Sequence, residues 1–272
     1  MENEIHPEVL SASLRNTMFS GKLQHFATIG STNSYALEQA LAGAPHGSVY
    51  VSDEQTAGRG RGTHAWHSAS CAGLYISVLL RPDMLPGDAL WFSLATGLAV
   101  QQAVVDVTAM VADIRWPNDL LLNDRKFCGI LTEMNAEPAK IRCAVIGIGI
   151  NVNHAVFPHQ LSTLATSLRC ESGRIWQRSD LLTAVLRSLS RELQALSISK
   201  NLSVATQSIL QRLEEKSTWI RDKNVHVSEA GGYTGVTDGL DARGFLQVQT
   251  SDGLRTVLSG GVREQKIHSL SK

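Results

Sequence analysis

The sequence predicts an α/β fold in two parts, a large α/β domain followed by a small β barrel. Helical and extended patterns alternate through most of the 272 residues, as in domains that pack helices on a sheet. After about residue 220 the pattern changes to short extended segments separated by glycine-containing turns. A chain of this length can hold one large and one small domain, so we place them at residues 1–220 and 221–272.

The first part begins with strands around one helix. Residues 34–43 predict this helix because their apolar side chains fall on one face, and Ser31 or Thr32 is placed to cap its first turn. A glycine-rich loop is expected at residues 54–70, where aliphatic side chains are almost absent. Strands are predicted at three apolar segments, residues 22–29, 47–52 and 73–81.

A long helix and a group of strands follow. Residues 87–107 repeat leucines at helical spacing, and two more helices are predicted at residues 180–198 and 202–217. Asn123-Asp124 is a turn signal, so the segments on either side of it are expected to pair as a hairpin. Extended segments are predicted at residues 111–116, 119–122, 127–134 and 141–150.

The charge balance excludes two broad classes of protein. Lysine and arginine number 25 and aspartate and glutamate number 25, so the formal net charge is zero. This balance argues against a general nucleic-acid coat and against a membrane-surface binder, although it leaves room for a local basic patch.

The cysteines and the N-terminus predict a cytoplasmic protein. The N-terminal residues have early acidic side chains and no apolar core of a signal peptide. We find no apolar run that approaches the ~20 residues needed to span a bilayer. No Cys-x-x-Cys pair occurs, so free and mostly buried thiols are expected at Cys71, Cys128, Cys143 and Cys170.

The loop at residues 58–66 carries the first candidate site. Its alternating glycines let the backbone approach a ligand closely, and Arg59 and Arg61 supply permanent charges that match carboxylate or phosphate. Trp66 could stack on a heterocycle. The residues fit a nucleotide or another small anion, but a plain basic surface loop and a nucleic-acid contact remain open alternatives. The loop is neither a Walker loop nor a Rossmann glycine turn.

Two further segments carry polar groups beside predicted strands. In residues 115–119, RWPND, Asp119 lies seven residues before Lys126, and the predicted hairpin brings that lysine near its turn. Lys126 could then neutralise two approaching anions, although a surface hairpin with a solvated Asp/Lys pair is an equally plain interpretation. GIGIN at residues 147–151 ends a buried strand and by itself predicts no more than a structural turn.

Taken in order, these motifs resemble the biotin–protein ligases, in the form that lacks an N-terminal DNA-binding domain. The resemblance spans about residues 25 to 265. It rests on Ser31-Thr32-Asn33, Gln55, GRGRG at 58–62, Trp66, RWPND at 115–119, Lys126, Gly129, GIGIN at 147–151 and LSGGV at 258–262.

The resemblance implies a fold and a reaction. The fold would be a mixed-sheet catalytic domain of the biotin/lipoate ligase, class II synthetase-like type, followed by an SH3-like β barrel. Biotin and MgATP would give biotinyl-5′-adenylate and pyrophosphate, and a lysine of a biotin carboxyl carrier protein, an acetyl-CoA carboxylase subunit, would then take the biotin and release AMP. The biotin carboxylate is ionised at neutral pH, so the first step needs cations and donors rather than a general base.

The resemblance also implies a role for each matching residue. The polar ureido end of biotin would meet Ser31, Thr32, Asn33 and Gln55. The acyl-phosphate region would be wrapped by the loop residues Gly58, Arg59, Gly60 and Arg61. Lys126, beside Gly129, would contact the biotin carboxyl and the α-phosphate. The adenylate side would hold Trp66, Asn118 and Asn151, with Arg263 near the ATP phosphates. Asp119 would help to take the proton from the incoming lysine, and no residue is assigned as a metal ligand.

The chain departs from the family pattern at three positions. Thr63 and His64 stand where the family has a second glycine and a third arginine, and Arg115 replaces a lysine. Arginine keeps the charge but changes the geometry of its contacts. Only 30 residues precede Ser31 and they show no recognition-helix pattern, so we predict no repressor activity and no nucleic-acid partner.

Two alternatives remain at this stage, one from the same superfamily and one from another class of protein. A lipoate-type ligase or acyltransferase of the same superfamily would need a differently shaped pocket. A non-enzymatic RNA-binding or scaffold protein would use the basic loop and the small barrel, and its RNA binding would depend on salt. The resemblance permits a homodimer through a sheet edge, and it gives no membrane partner.

Overall fold

A seven-stranded mixed sheet forms the centre of the large domain in the computed structural model, which describes residues 5–158, 164–198, 202–259 and 261–265. The order of the strands is β1-β2-β3-β7-β6-β5-β4; β1 and β2 are parallel and the other neighbours are antiparallel. This confirms the predicted mixed α/β fold. The strands are β1 Leu23–Ile29, β2 Ser48–Gln55, β3 Gly73–Leu80, β4 Asp113–Arg115, β5 Asp119–Leu122, β6 Arg125–Glu137 and β7 Lys140–Asn151.

Six helices accompany these strands in the described residues. A 3₁₀ turn at Pro86–Asp88 delays the start of the third helix, which the sequence placed a little earlier. Helices one and four were not predicted, because seven and five residues are too short to show a helical period. The helices are α1 Pro7–Ser13, α2 Thr32–Leu41, α3 Leu90–Thr108, α4 Leu168–Ser172, α5 Arg178–Ile198 and α6 Leu202–Lys216.

Helix α3 corrects the expectation that no segment is long and apolar enough to cross a bilayer. Residues 86–108 meet that length and apolarity, with a mean hydropathy of 1.3 in their most apolar window. Most α3 side chains are buried, however, and the helix packs against α5, α6 and β6. Its apolarity is therefore that of a core helix.

The predicted hairpin around Asn123 and Asp124 is confirmed. Both residues have positive φ angles, of 50° and 59°, and Leu122 pairs directly with Arg125. This is the geometry of a two-residue turn that matches the twist of its strands. The turn fixes the register of β5 against β6 and brings Lys126 beside Leu121.

A second sheet of five antiparallel strands follows α6. Its order is β11-β10-β9-β8-β12, as expected for the small β module. The first strand begins at Arg221, next to the predicted domain boundary, which itself remains a prediction. The strands are β8 Arg221–Val227, β9 Tyr233–Leu240, β10 Leu246–Thr250, β11 Gly253–Val257 and β12 Val262–Glu264.

The cysteines are free, but only half of them are buried. Cys128 on β6 and Cys143 on β7 lie in the sheet, whereas Cys71 and Cys170 are exposed. The expectation of mostly buried thiols is therefore wrong for the two cysteines that lie outside the strands.

Candidate active site

Two adjoining cavities lie where the 56–72 loop, the β5–β6 hairpin and the second sheet meet. The smaller encloses about 450 Å³ of empty space and the larger about 1070 Å³. They meet at five shared residues, Gly60, Arg61, Trp66, Asn118 and Lys126. A ligand that filled both cavities would therefore pass between the arginine loop and Lys126.

One end of the smaller cavity is a network of neutral polar groups. Gln55 Oε1 accepts hydrogen bonds from the backbone N–H and the hydroxyl of Thr32, at 2.8 and 3.0 Å. The Ser77 hydroxyl lies 2.8 Å from Thr32 Oγ1 and 2.6 Å from Asn33 Oδ1. Ser31 lines the same end and caps α2, since its side chain accepts from the Ser34 N–H. This end can recognise a neutral ligand that both donates and accepts hydrogen bonds.

The floor of the smaller cavity depends on glycines in two neighbouring strands. Gly129 on β6 pairs with Gly149 on β7, and the Trp66 ring lies over both. A Cβ atom at Gly149 would lie 2.4 Å from Trp66 Cε2, and one at Gly147 would lie 2.3 Å from Asn33 Oδ1. Since no side chain fits at these positions, the bare backbone creates the space for Trp66 and Asn33.

The glycine-rich loop is a closed backbone structure rather than an open tail. The Gly60 N–H donates to His64 O at 2.7 Å, and the Trp66 N–H donates to Gly58 O at 2.9 Å. Gly58 closes the loop through this bond and lines neither cavity, and its expected contact with the ligand remains a prediction. The departures Thr63 and His64 lie at the exposed tip, and His64 also lines the larger cavity.

The two arginines of the loop differ in their surroundings. Arg59 Nη2 lies 2.6 Å from Glu133 Oε2 on β6. Partial desolvation lowers the pKa of the Arg61 guanidinium, while the negative charges of Asp119 and Glu229 act in the opposite direction. Arginine stays charged through shifts of this kind, so both side chains offer full positive charges at the cavities.

Lys126 and Asp119 form a desolvated charge cluster with Arg115. Lys126 Nζ lies 2.5 Å from Asp119 Oδ1, and Arg115 Nη2 lies 2.6 Å from Asp119 Oδ2. Burial alone would raise the pKa of the Asp119 carboxyl, but the charges of Lys126 and Arg115 outweigh it and hold the pKa below its usual value. The Asp119 and Lys126 side chains are only 15% and 21% exposed, which contradicts a solvated surface pair.

The backbone holds Lys126 from a second side. Its N–H donates to Leu164 O and its carbonyl accepts from the Thr166 N–H, both at 2.9 Å. Asn151 Nδ2 donates to Thr166 O at 3.1 Å, so the same segment closes the cavity wall. Lys126 Nζ lies 5.3 Å from the centre of the Trp66 ring. The backbone of Lys126 is therefore held in place, and its side chain lies at the boundary between the two cavities.

The larger cavity has an aromatic wall and a wall from the second sheet. His67 and Phe157 line it, and His154 stacks on Phe157 with ring centres 5.2 Å apart. Arg263 on β12 lines the opposite side. Asn118 donates from Nδ2 to Ile130 O at 2.8 Å, which ties the turn after Arg115 to β6. The bond between Trp116 and Pro117 in this turn is cis.

The structure brings most of the residues singled out in the sequence to the two cavities. The others that it describes line neither cavity: Gly58, Gly62, Thr63, Ile150, Leu258 and Ser259. Gly260 of the LSGGV motif lies outside the described residues. Three contributors were missed, Ser68, Ser77 and Glu133. Ser77 had a usable signal, because it is a polar residue inside the apolar strand GLYISVLL.

Comparison with known proteins gives one consistent result. Residues 25–151 match the biotin/lipoate A/B protein ligase family. The bifunctional ligase/repressor BirA of Bacillus subtilis (strain 168) is 32% identical over 252 residues, which is 92% of this chain and 76% of that protein. The biotin–[acetyl-CoA-carboxylase] ligase of Mycobacterium tuberculosis is 34% identical over 197 residues, covering 69% of this chain and 71% of that protein.

A solved structure shows the same similarity in three dimensions. The biotin protein ligase from Aquifex aeolicus, in complex with biotin and ATP, superposes with a TM-score of 0.77 at 28% sequence identity. The alignment covers 90% of this chain and 100% of that chain, so it includes both sheets.

Proposed function

The chain belongs to the biotin protein ligase family, and we propose that it joins biotin to a carrier protein in two ATP-dependent steps. The observation that carries the proposal is the meeting of the two cavities at the arginine loop and Lys126. Biotin would occupy the smaller cavity, with its ureido group at Thr32, Asn33 and Gln55. ATP would occupy the larger cavity.

In the first step a carboxylate oxygen of biotin attacks the α-phosphorus of ATP. A mixed anhydride bond forms, and the bond to pyrophosphate breaks. Both partners are anions, so the step depends on holding them together against their repulsion. Lys126 and Arg61 line both cavities, which supports a role for Lys126 in contacting both anions and for Arg61 at the same boundary. No proton needs to be removed from biotin at neutral pH.

In the second step the amine of a carrier lysine attacks the biotinyl carbonyl. An amide bond forms, AMP leaves, and the amine loses a proton. Asp119 is the candidate acceptor of that proton, although its carboxylate is held by Lys126 and Arg115 in this structure. The same geometry supports a role in orienting the Lys126 ammonium.

Magnesium is expected to enter the site bound to the phosphates of ATP. In the part of the chain that the structure describes, no group of three or more histidine, cysteine, aspartate or glutamate side chains is placed to hold a metal ion. The cations available to the phosphates are therefore arginine and lysine side chains together with the ion that ATP carries. A carboxyl carrier domain as acceptor, and a cytoplasmic location in keeping with four free cysteines, complete the proposal.

Biotin-dependent exchange of pyrophosphate into ATP tests the first step. The wild-type chain should exchange, and Lys126→Ala should lose at least about a hundredfold in rate, the scale of one lost charge contact in a transition state. Lys140→Ala, at the exposed start of β7, is the matched control and should exchange normally. Absence of biotin-dependent exchange in the wild type would end the ligase proposal, whereas exchange in Lys126→Ala would remove only the role of that lysine.

Acceptor and substrate need a separate assay. Incubation with ATP, biotin and a biotin carboxyl carrier domain should add one biotin to that domain, measured by mass spectrometry. A competition between biotin and lipoate tests the lipoate-type alternative, and the neutral polar end of the smaller cavity favours biotin. Preferential transfer of lipoate would reverse the substrate assignment.

A further inference from the structure

Glu133 lines neither cavity, and no role for it was expected, but it contacts two residues that line the smaller one. It stands on β6, four residues beyond Gly129, and its side chain is 25% exposed. A single carboxylate oxygen, Oε2, accepts from Asn33 Nδ2 at 2.9 Å and from Arg59 Nη2 at 2.6 Å. One atom therefore joins the polar end of the smaller cavity to the first arginine of the loop.

The contact with Asn33 fixes which way its amide faces. A carboxylate can only accept, so the Asn33 NH₂ points at Glu133 at 2.9 Å, and the same nitrogen also donates to Leu131 O at the longer distance of 3.4 Å. Its Oδ1 then points at the Ser77 hydroxyl, 2.6 Å away. Asn33 is 5% exposed, so turning the amide over would bring its oxygen against the half-buried Glu133 carboxylate. In this orientation the remaining acceptor capacity of Oδ1 suits a ligand N–H.

The contact with Arg59 holds the loop cation against the sheet. Arg59 is 43% exposed, and an isolated surface arginine would sample many rotamers. The 2.6 Å bond to Glu133 restricts this side chain at the wall of the smaller cavity, which Arg59 itself lines. The carboxylate also keeps Arg59 near the place where the proposed anhydride would form.

We propose that Glu133 is a positioning residue that sets both the Asn33 amide and the Arg59 guanidinium through one oxygen. The inference rests on the proposed ligase function and adds a division of labour within it. The Asn33 contact serves recognition of the biotin head group, and the Arg59 contact serves the activation step.

Two substitutions separate these contacts. Glu133→Gln keeps an amide oxygen that can accept from Asn33 but removes the charge that attracts Arg59. Glu133→Leu removes both contacts. Glu137→Gln is the matched control, because Glu137 lies on the same strand, is exposed, and pairs with Arg142 away from the cavities.

The measurements are biotin affinity without ATP and the single-turnover rate of biotinyl-adenylate formation. Glu133→Gln should form the adenylate about fivefold more slowly and bind biotin within about twofold of wild type, as expected for the loss of one partly exposed charged contact. Glu133→Leu should also bind biotin about tenfold more weakly, because the buried Asn33 NH₂ loses its carboxylate acceptor at 2.9 Å and keeps only the Leu131 carbonyl at 3.4 Å. Thermal unfolding of each variant checks that it folds.

A double-mutant cycle tests whether Glu133 acts through Arg59. Arg59→Met should slow adenylate formation, and adding Glu133→Gln should slow it no further. Wild-type rates in Glu133→Gln, or fully additive losses in the double variant, would overturn the positioning role while leaving the ligase function intact. Equal loss of biotin affinity in Glu133→Gln and Glu133→Leu would overturn the division of labour.

Discussion

At the scale of single residues, the site contains ion-paired side chains whose charges partly neutralise each other before a ligand binds. Asp119 forms an ion pair with Lys126 at 2.5 Å and another with Arg115 at 2.6 Å. Two cations and one carboxylate leave a net positive charge at the boundary of the cavities. That surplus favours binding of two anions without leaving an isolated buried cation in the empty protein.

His154 is expected to make stability depend on pH. Burial, and to a smaller extent the charge of His67, lower the pKa of His154 from 6.5 to about 4. Between these values the unfolded chain binds a proton that the folded chain excludes, so stability rises with pH across this window. The contribution is fully present above pH 6.5 and is lost as the pH falls toward 4, by roughly 3 kcal/mol in all.

Denaturant unfolding between pH 4 and 7 measures this effect. His154→Gln should flatten the loss of stability on acidification, whereas His226→Gln, at an exposed position of β8, should leave the wild-type slope unchanged. Burial together with the charges of Lys22 and Arg81 lowers the pKa of His46 too, so some slope should remain. An unchanged slope in His154→Gln would contradict the prediction.

Residue types and spacing single out the loop arginines and Lys126 as candidates, but on that ground a plain basic loop and a surface ion pair stay open. The polar end of the smaller cavity follows only from the family resemblance, which supplies Ser31, Thr32, Asn33 and Gln55. Glu133 could not be found, because it occupies one of the alternate polar positions of an ordinary strand. Its importance depends on the register of β6 against β7 and on the fold of a loop 74 residues earlier.

At the scale of elements, the sequence predicts long segments better than short ones. The seven strands and three long helices follow from apolar periodicity, while α1 and α4 are too short to show one. Helix α2 begins at Thr32 rather than at residue 34, because the Ser31 side chain caps the first turn. The cap residue was identified correctly as one of two candidates, and the boundary error is two residues.

The glycines of the β6–β7 pair give a further prediction, because the Trp66 ring packs directly on them. In Gly149→Ala the new methyl group would lie 2.4 Å from Trp66 Cε2, and both neighbouring strands are fixed by the sheet. Trp66 must therefore move. We expect a loss of about 1–3 kcal/mol in unfolding free energy, as for other overpacked sites. Adenylate formation should fall by at least about tenfold because Trp66 borders both cavities.

Gly87→Ala is the control for this substitution. A Cβ atom at Gly87 would meet no heavy atom within 4 Å, so stability and adenylate formation should both stay at wild-type values. Stopped-flow or quench measurements of adenylate formation, with calorimetry for stability, decide the outcome. Normal rates in Gly149→Ala would show that the position of Trp66 does not matter to the reaction.

At the scale of the whole molecule, Trp219 joins the two sheets beside the charge cluster of Arg115, Asp119 and Lys126. It is 3% exposed and lies between α6 and the first strand of the second sheet. Arg115 lies 5.4 Å from the centre of its ring, and Lys223 lies 5.0 Å from it. Arg115 also holds Asp119, and Asp119 holds Lys126. The placement of the second sheet is therefore connected to the proposed catalytic lysine through three successive contacts, Trp219–Arg115, Arg115–Asp119 and Asp119–Lys126.

This connection explains what Arg115 does in the structure, which the sequence could not show: it contacts both Trp219 and Asp119. A guanidinium can bond a carboxylate along its edge and stack on a ring with its face, whereas an ammonium lacks a planar face. The sequence shows that Arg115 replaces the lysine of the family pattern. Trp219, however, lies 104 positions away, and no motif points to it. Contacts of this kind depend on how the two sheets pack.

Removing the ring of Trp219 should therefore slow the reaction as well as destabilise the fold. Trp219→Phe keeps a π-face for Arg115, while Trp219→Leu fills similar space without one. Both should lower the unfolding free energy by about 1–3 kcal/mol, since both leave a gap in a buried site. Only Trp219→Leu should also slow adenylate formation, by about fivefold, the scale of a cation–π contact. Equal rates in the two variants, at matched stability, would show that Arg115 needs no support from the ring.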